Sequence, residues 1–259
     1  MEDLNFAEKW LENAYSIMKY IEETQIESIN KAAEIIANSI ASGHVCFLFG
    51  SGHAAIPVME IFPRYGTVLG FMPIVDLPLV AFLRIVGDMG YPQFDFIENS
   101  PEYGRRILEN YEIHKEDCAL LFSHSGTTPI TIEVAKVIKD YGAKIIVATS
   151  LKHSMNTESR HPSKLKLYEL ADIVIDTGVP LGDVSIKIKD LDSSIGPLST
   201  FAFIIVANML LLKTIEKLMI RGMKPMIFPV RRLNPRADEI MRQLLLRYRE
   251  LYSKHLRKQ

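Results

Sequence analysis

Short apolar runs that alternate with helical patterns most strongly constrain how this chain can fold. Residues 45–50 (VCFLFG), 118–122 (CALLF) and 144–149 (KIIVAT) lack a polar face, which is typical of strands buried on both sides. Residues 129–142 (PITIEVAKVIKDYG) lie between the last two runs and have apolar residues at helical spacing. This alternation predicts βαβ units, and therefore a parallel sheet with helices on both faces.

We expect five strands in this doubly wound, mainly parallel sheet, because residues 67–75 and 171–178 also have strand-like apolar patterns. Residues 184–188 are predicted as a further short strand. Residues 53–66 and the long apolar segment 197–218 have helical patterns. The fold class is therefore predicted as α/β.

Helical segments are predicted to extend this α/β unit at both ends. We expect residues 1–43 to form helices that pack on a central domain of residues 44–222. Residues 223–259 are rich in arginine and lysine and are predicted as a basic helical extension, which docks on its own domain or on a second subunit. A nucleic-acid-binding arm is less favoured, because no recognised DNA-binding motif accompanies the basic segment.

Composition narrows the range of partners. With 259 residues, 48% of them hydrophobic, the chain can fill a core, and its net charge of -1 favours neither a nucleic acid nor a membrane. The longest apolar stretch, residues 197–212, is shorter than the roughly 20 residues that cross a bilayer. Cys46 and Cys118 lie in apolar runs, which predicts buried, reduced thiols. We therefore expect a soluble cytoplasmic protein.

Two polar loops follow predicted strands, at the sheet edge where open parallel sheets bind ligands. The first, which we call the glycine loop, comprises residues 50–55 (GSGHAA). Gly50 and Gly52 allow close approach of the backbone to a ligand, but the third glycine of a dinucleotide fingerprint is missing. The second, the serine loop, comprises residues 123–128 (SHSGTT).

The serine loop contains more hydroxyl groups than a helix cap needs. Thr128 and Pro129 are predicted to begin a helix, which leaves Ser123, Ser125 and Thr127 to face a ligand above its N-terminus. A phosphate dianion accepts several hydrogen bonds and is attracted by the positive end of a helix. The loop therefore predicts a phosphate site, and the lack of a Walker lysine argues against a nucleoside triphosphate.

These motifs resemble the SIS (sugar isomerase) domain family. SHSGTT matches its S-x-S-G-x-T signature, and FGSGHA lies one βα unit earlier, as the glycine loop of that domain does. The stretches SRHPSKLKLYELADIVID and IGPLST are similar to a subfamily related to phosphoheptose isomerase. The resemblance covers about residues 5–220 and implies a flavodoxin-like three-layer αβα fold. It also implies at least a homodimer, and we expect no cofactor.

The resemblance also implies roles for individual residues. The phosphate of a phosphorylated sugar is assigned to the serine loop, through Ser123, Ser125, Gly126, Thr127 and Thr128. The sugar is assigned to the glycine loop and to two other places, through Gly50, Ser51, Gly52, His124, Ser199 and Thr200. Helix capping is the alternative for Ser199 and Thr200.

An aldose–ketose isomerase needs a base that moves a proton between C1 and C2, and often an acid that opens the sugar ring. The resemblance places the base at Glu60. Glu98 and Glu102, in the stretch FIENSPEY, are the other candidate bases, and the alternative for Glu102 is a carboxylate that complements the dipole of a helix in its first turn. His53 is the first candidate for the acid and His124 the second.

Other observations leave the reaction open. Ala54 and Ala55 stand where related sequences have serine and a second histidine, which favours a protein that binds without turnover. His153 and His161 lie on a loop that could close over the site, and the histidines lack metal-ligand spacing such as H-E-x-x-H, so no metal is expected.

Four functions remain compatible with these residues. The favoured one is a sugar-phosphate isomerase, and the others are a sugar-phosphate sensor, a lyase or etherase, and a deaminating isomerase. The sugar itself is not identified. Residues 77–99, which are predicted to be irregular, and the loop around His153 would select it, and neither contains a motif that indicates a particular sugar.

Overall fold

A five-stranded sheet forms the centre of the computed structural model, which describes residues 4–80, 90–189 and 191–257. The strands are β1 (Cys46–Gly50), β2 (Phe71–Pro73), β3 (Cys118–Phe122), β4 (Lys144–Thr149) and β5 (Ile173–Asp176). Their order is β2-β1-β3-β4-β5, and every pair is parallel. This is the doubly wound order of flavodoxin-like folds, so the predicted fold class is confirmed.

Helices cover both faces of the sheet. Those within the described residues are α1 (Phe6–Thr24), α2 (Ile26–Ala41), α3 (Ile56–Glu60), α4 (Leu77–Val80), α5 (Tyr91–Glu98), α6 (Pro101–Leu108), α7 (Pro129–Asp140), α8 (Leu151–Met155), α9 (Leu167–Leu170), α10 (Ser199–Ile220) and α11 (Ala237–Ser253). In β1, Cys46 and Leu48 pack with α1, α2 and α10, whereas Phe47 and Phe49 pack on the opposite face with α7 and α11. All four side chains are buried, which explains why this strand has no polar face.

The helix predicted over residues 53–66 is much shorter than expected. A 3₁₀ turn (Gly52–Ala55) precedes α3, and α3 ends at Glu60. Pro63 lacks a backbone N–H and disfavours the helical conformation of the residue before it, which gives a physical reason for the early end.

The predicted start of the long helix α10 is also wrong. Residues 195–197 form a short strand, β7, which pairs antiparallel with β6 (Val184–Ile186) in a separate two-stranded sheet. The long helix therefore begins at Ser199 rather than at residue 197, because Pro197 belongs to β7.

Among the described residues, α10 included, no helix is long and apolar enough to cross a membrane.

Residues 77–99 are more regular than predicted. Helices α4 and α5 lie within this segment, and residues 81–89 lie outside the described part of the chain. The short helix α5 begins after Gly90, which has a left-handed backbone conformation with φ of +74°. Its C-terminal end brings Glu98 and Asn99 to the carboxyl edge of the sheet.

Both cysteines are free and buried, as predicted. Cys46 and Cys118 are register partners in the neighbouring strands β1 and β3. Burial raises the pKa of the Cys46 thiol well above its usual value, which keeps this sulfur in its unreactive thiol form.

The C-terminal segment packs on its own domain. The Tyr252 hydroxyl at the end of α11 donates a hydrogen bond to the Phe71 carbonyl of the edge strand β2. Tyr248 stacks on Tyr252 with ring centroids 4.1 Å apart, and Phe62 lies against both rings. Because Tyr252 is buried, the Phe71 carbonyl receives this bond away from water.

Removing the Tyr252 hydroxyl should weaken the attachment of α11. Tyr252→Phe leaves a buried carbonyl without its donor, so we expect the free energy of unfolding to fall by about 1–3 kcal/mol. Tyr248→Phe is the matched control and should change it by less than about 0.5 kcal/mol, because Tyr248 is only half-buried. Urea unfolding followed by circular dichroism measures both, and equal effects would contradict a specific role for the Phe71 bond.

Candidate functional site

The glycine and serine loops lie side by side at the carboxyl edge of the sheet. They follow β1 and β3, which are hydrogen-bonded neighbours, and Gly50 at the end of β1 is the register partner of Phe122 at the end of β3. Two loops that are far apart in sequence therefore meet at one point, as expected for a ligand site in a parallel sheet.

The tight turn of the glycine loop favours glycine at two positions. A Cβ atom on Gly50 would lie 2.1 Å from the Ala54 carbonyl oxygen, and Gly52 has a φ of +59°. The turn buries Ser51, whose Oγ donates a hydrogen bond of 2.6 Å to Oε1 of Glu98. His53 is exposed on the same turn.

The serine loop is held by bonds among its own residues. Ser123 Oγ accepts the Gly126 N–H at 3.2 Å, and Ser125 Oγ accepts the Thr127 N–H at 3.2 Å and the Thr127 hydroxyl at 3.1 Å. Gly126 has a φ of +62°, and a Cβ there would lie 2.7 Å from Ser154 Oγ. Because the serine oxygens act as acceptors, their own hydroxyl protons can be donated to a ligand.

Helix α7 begins directly after this loop. Thr128 is its N-cap residue by position, but the Thr128 side chain makes no capping hydrogen bond, and Pro129 follows as the first helical residue. The first turn of a helix has N–H groups without intrahelical partners, and it is the positive end of the helix dipole. The hydroxyl groups of the serine loop therefore adjoin a terminus that attracts anions.

Arg160 contributes a positive charge that our sequence analysis missed. Its Nη2 donates to Thr128 Oγ1 at 3.2 Å, its Nη1 to Asn99 Oδ1 at 2.9 Å, and its backbone N–H to the Thr127 carbonyl at 3.2 Å. Arg160 lies on the loop between α8 and α9, in the motif SRHPS. In this motif only His161 was considered as a candidate site residue. The position of Arg160 after β4 was the signal that could have identified it.

Glu98 connects the two loops. One carboxylate oxygen accepts the Ser51 hydroxyl, and the other lies 3.7 Å from Nη2 of Arg160, which itself binds Thr128. The Glu98 side chain is 17% exposed, so the carboxylate is accessible although both of its oxygens have neighbours. The chain of contacts thus runs from the glycine loop through a carboxylate and a guanidinium to the serine loop.

The other two candidate bases, Glu60 and Glu102, lie apart from this chain of contacts. Glu60, the last residue of α3, accepts a hydrogen bond of 2.5 Å from Arg64, one turn further along the chain. No hydrogen bond or ion pair within residues 4–80, 90–189 and 191–257 links Glu60 to the serine loop. Glu102 is exposed on the first turn of α6. Of the three candidate bases, Glu98 is the one with a side-chain hydrogen bond to a predicted site residue in the part of the chain that the structure describes.

His124 of the serine loop lies beside His153. The two rings are 4.6 Å apart and nearly perpendicular, and both ring nitrogens of His124 are buried without a hydrogen-bond partner in the described part of the chain. Burial lowers the pKa of His124 to about 4, an effect that Asp183 opposes and His153 reinforces. The imidazole is therefore neutral at neutral pH.

His161 does not close over the loops. The ring is buried, and its Nε2 lies 3.1 Å from Oε2 of Glu133, a buried carboxylate on α7. Its Nδ1 lies 2.7 Å from the Ser163 hydroxyl. Both nitrogens thus have partners within the protein, which indicates a packing role.

Ser199 and Thr200 lie in the first turn of α10, and this helix contacts the turn of the glycine loop. The Ser199 hydroxyl donates to Asp183 at 2.6 Å, and the backbone N–H groups of Leu198 and Ser199 donate to the same carboxylate at 3.0 and 2.7 Å. Asp183 therefore supplies the cap of α10. Ser199 is not the N-cap residue, and Thr200 is half-buried next to it.

Comparison with known proteins assigns the family. Residues 9–150, more than half of the chain, match the model of the SIS domain (SIS_2). The chain belongs to the SIS domain family. This SIS protein is 31% identical to a UPF0309 protein of Thermoanaerobacter pseudethanolicus over 224 residues, which are 85% of this chain and 88% of the relative. A UPF0309 protein of Halalkalibacterium halodurans is 30% identical over 212 residues, 82% of this chain and 85% of the relative.

A solved structure has the same fold. A phosphoheptose isomerase from Francisella tularensis superimposes with a TM-score of 0.52 and 15% sequence identity. The match covers 84% of this chain and 100% of that one. At this identity the likeness concerns the fold, and it confirms the architecture implied by the serine motif.

The buried imidazole of His124 should make stability depend on pH. His124 in the unfolded chain titrates near 6.5 and in the folded protein near 4, so the unfolded state binds more protons between these values. Its contribution should therefore destabilise the protein as pH falls from about 6.5 to about 4. An imidazole ¹⁵N NMR titration measures the folded midpoint, and His124→Gln should flatten the stability profile in this window. A midpoint near 6.5 would contradict the burial of this ring.

Proposed function

We propose that this SIS protein binds a phosphorylated sugar and interconverts its aldose and ketose forms. The observation that carries the proposal is the chain of contacts from Ser51 through Glu98 and Arg160 to Thr128. In this chain of contacts, only the Arg160 side chain separates the Glu98 carboxylate from the serine loop, where an anion could bind. Membership of the SIS family and the phosphosugar chemistry named for its structural neighbour support the same substrate class.

The phosphate would bind at the N-terminus of α7. Ser123 can donate its hydroxyl proton to it, because the Ser123 oxygen accepts a bond from within the loop. Ser125 Oγ lies 3.4 Å from Thr128 Oγ1, so either hydroxyl of this pair can donate to the phosphate. Arg160 provides a guanidinium, which forms strong charge-assisted hydrogen bonds to phosphate oxygens. The first-turn N–H groups of α7 add further donors. Together these groups match the many acceptor sites of a phosphate dianion.

Glu98 is the carboxylate that the contacts favour as the base. Its 2.6 Å bond from Ser51 orients one oxygen, and a phosphate at the serine loop would compete for Arg160, the cation near the other oxygen. Glu98 would then take the proton from C2 of the open-chain aldose and return it to C1. During this transfer the C1 oxygen gains a proton and the C2 oxygen loses one, so the enediol collapses to the ketose.

Glu60 remains the alternative base, on the grounds of the family resemblance. Its bond from Arg64 would have to open before it could reach a substrate. His53 is the proposed acid for ring opening, and His124 in its neutral form suits a hydrogen bond to a sugar hydroxyl. Lyase, etherase and deaminating reactions begin with the same proton abstraction and differ in their products.

A sugar-phosphate sensor is the second candidate. Ala54 and Ala55 favour it, because both lie in the glycine loop and neither can donate or accept with its side chain. Ala55 is buried against the core of the domain, so a ligand would not restore a polar contact there. A sensor would use the same phosphate loop without proton transfer.

Phosphate binding should depend on Arg160. Arg160→Gln should weaken binding of sugar phosphates about tenfold to a hundredfold, because a hydrogen bond to a charged group contributes about 1.5–3 kcal/mol. A thermal-shift screen over pentose, hexose and heptose phosphates identifies a ligand, and calorimetry then measures its affinity. Arg106→Gln, which removes an exposed arginine paired with Glu109 on α6, is the control. Unchanged affinity for Arg160→Gln, or for Ser123→Ala combined with Ser125→Ala, would contradict this phosphate site.

Incubation of the ligand and protein in heavy water tests the base. Deuterium should enter C1 or C2 with the wild-type protein, and Glu98→Gln should keep binding while slowing exchange about 10²- to 10⁴-fold. Glu60→Gln is the matched variant and should exchange at the wild-type rate. The reverse result would assign the base to Glu60. Binding without exchange by the wild-type protein would support the sensor, and product analysis identifies elimination or deamination.

A further inference from the structure

A second cluster of side chains lies at the amino edge of the sheet, opposite the sugar-phosphate site. His44 lies just before β1, Asp117 just before β3, and His255 just after α11. Asp117 and His255 are buried, with side-chain exposures of 0% and 1%, and that of His44 is 24%. The full length of β1 and β3 separates this cluster from the glycine and serine loops.

Three potential ligand atoms converge in this cluster. Nδ1 of His44, a carboxylate oxygen of Asp117 and Nε2 of His255 all lie within 4.8 Å of one another. Oδ1 of Asp117 is 3.3 Å from the His44 nitrogen and 3.0 Å from the His255 nitrogen. Two imidazole nitrogens and one carboxylate oxygen form a ligand set that divalent transition metals accept.

Neighbouring backbone groups orient these side chains. Nδ1 of His255 lies 2.9 Å from the Leu251 carbonyl, to which it donates, so Nε2 faces the cluster. Asp117 accepts the Val45 N–H at 3.0 Å and the His114 N–H at 2.7 Å. Hydrogen bonds of this kind, behind the ligand atoms, fix the orientation and tautomer of metal ligands.

A simple ion pair would use only part of this cluster. The ring of His114 lies 5.5 Å from that of His44 and 5.4 Å from that of His255, so three imidazoles surround one buried carboxylate. The rings of His44 and His255 both direct a nitrogen at the same carboxylate oxygen of Asp117, which is the arrangement of a mixed imidazole–carboxylate ligand set.

We propose that His44, Asp117 and His255 bind one divalent transition-metal ion, and that the ion is zinc. Imidazole nitrogens and a carboxylate oxygen are regular zinc ligands, and zinc binds in closed structural sites without redox chemistry. His114 or a water molecule would complete the coordination. The pairs Asp117–His44 and Asp117–His255 are 73 and 138 residues apart in sequence, which is why no local spacing motif revealed the site.

The zinc ion would join three separate segments of the chain. It would attach the end of the C-terminal segment to the loops before β1 and β3, so its role would be structural. This proposal is independent of the proposed enzymatic function, because it uses no residue of the sugar-phosphate site.

Metal content tests the proposal directly. The full-length protein is stripped with EDTA, dialysed against Zn²⁺ and analysed by mass spectrometry, and we expect one bound ion per chain and a raised midpoint of thermal unfolding. His44→Ala should bind zinc at least about tenfold more weakly while keeping the His255–Asp117 contact and the fold. His53→Ala, an exposed histidine outside the cluster, should retain one ion.

Either of two results would overturn the metal site. One is a zinc content well below one ion per chain in the folded wild-type protein, which would assign the cluster to an imidazole–carboxylate ion pair. The other is unchanged zinc affinity in folded His44→Ala, which would place the ion elsewhere. Arg160→Gln should leave zinc binding unaffected, so failure of the sugar-phosphate proposal and failure of this one are distinguishable.

Discussion

The parallel pairing of β1 with β3 is the constraint on which the rest of the structure depends. Gly50 and Phe122 are register partners, so the glycine and serine loops leave the sheet next to each other. At the opposite edge the same pairing brings His44 close to Asp117. One set of backbone hydrogen bonds thereby positions residues of both proposed sites.

Charge at the carboxyl edge is balanced by residues from distant parts of the chain. The serine loop and the N-terminus of α7 carry donors and a positive dipole, and Arg160 adds a full positive charge. Glu98 lies near that charge, and Ser51 holds the carboxylate in place. A phosphate would take over the role of the Glu98 carboxylate at Arg160, so phosphate binding and availability of the carboxylate are linked.

The fold and the two loops could be predicted because their signals are local. Strands buried on both faces require continuous apolar runs, and a phosphate-binding turn requires small hydroxyl residues and glycine next to a helix N-terminus. The end of α3 at Glu60 was missed although Pro63 signals it locally, and the helices around Glu98 were missed because short segments have too few residues to show a helical period. Arg160 was missed because an arginine in a polar loop has no periodic signature.

The sequence by itself determined the α/β class, the parallel sheet and the family, and it predicted a phosphate site at the serine loop, since each follows from residues close together in the chain. The tertiary structure alone decided which carboxylate adjoins that loop and which three residues converge beside His114. Those contacts join residues up to 138 positions apart, as in the pair formed by Asp117 and His255. Such proximity results from packing and strand order, which local sequence patterns do not encode.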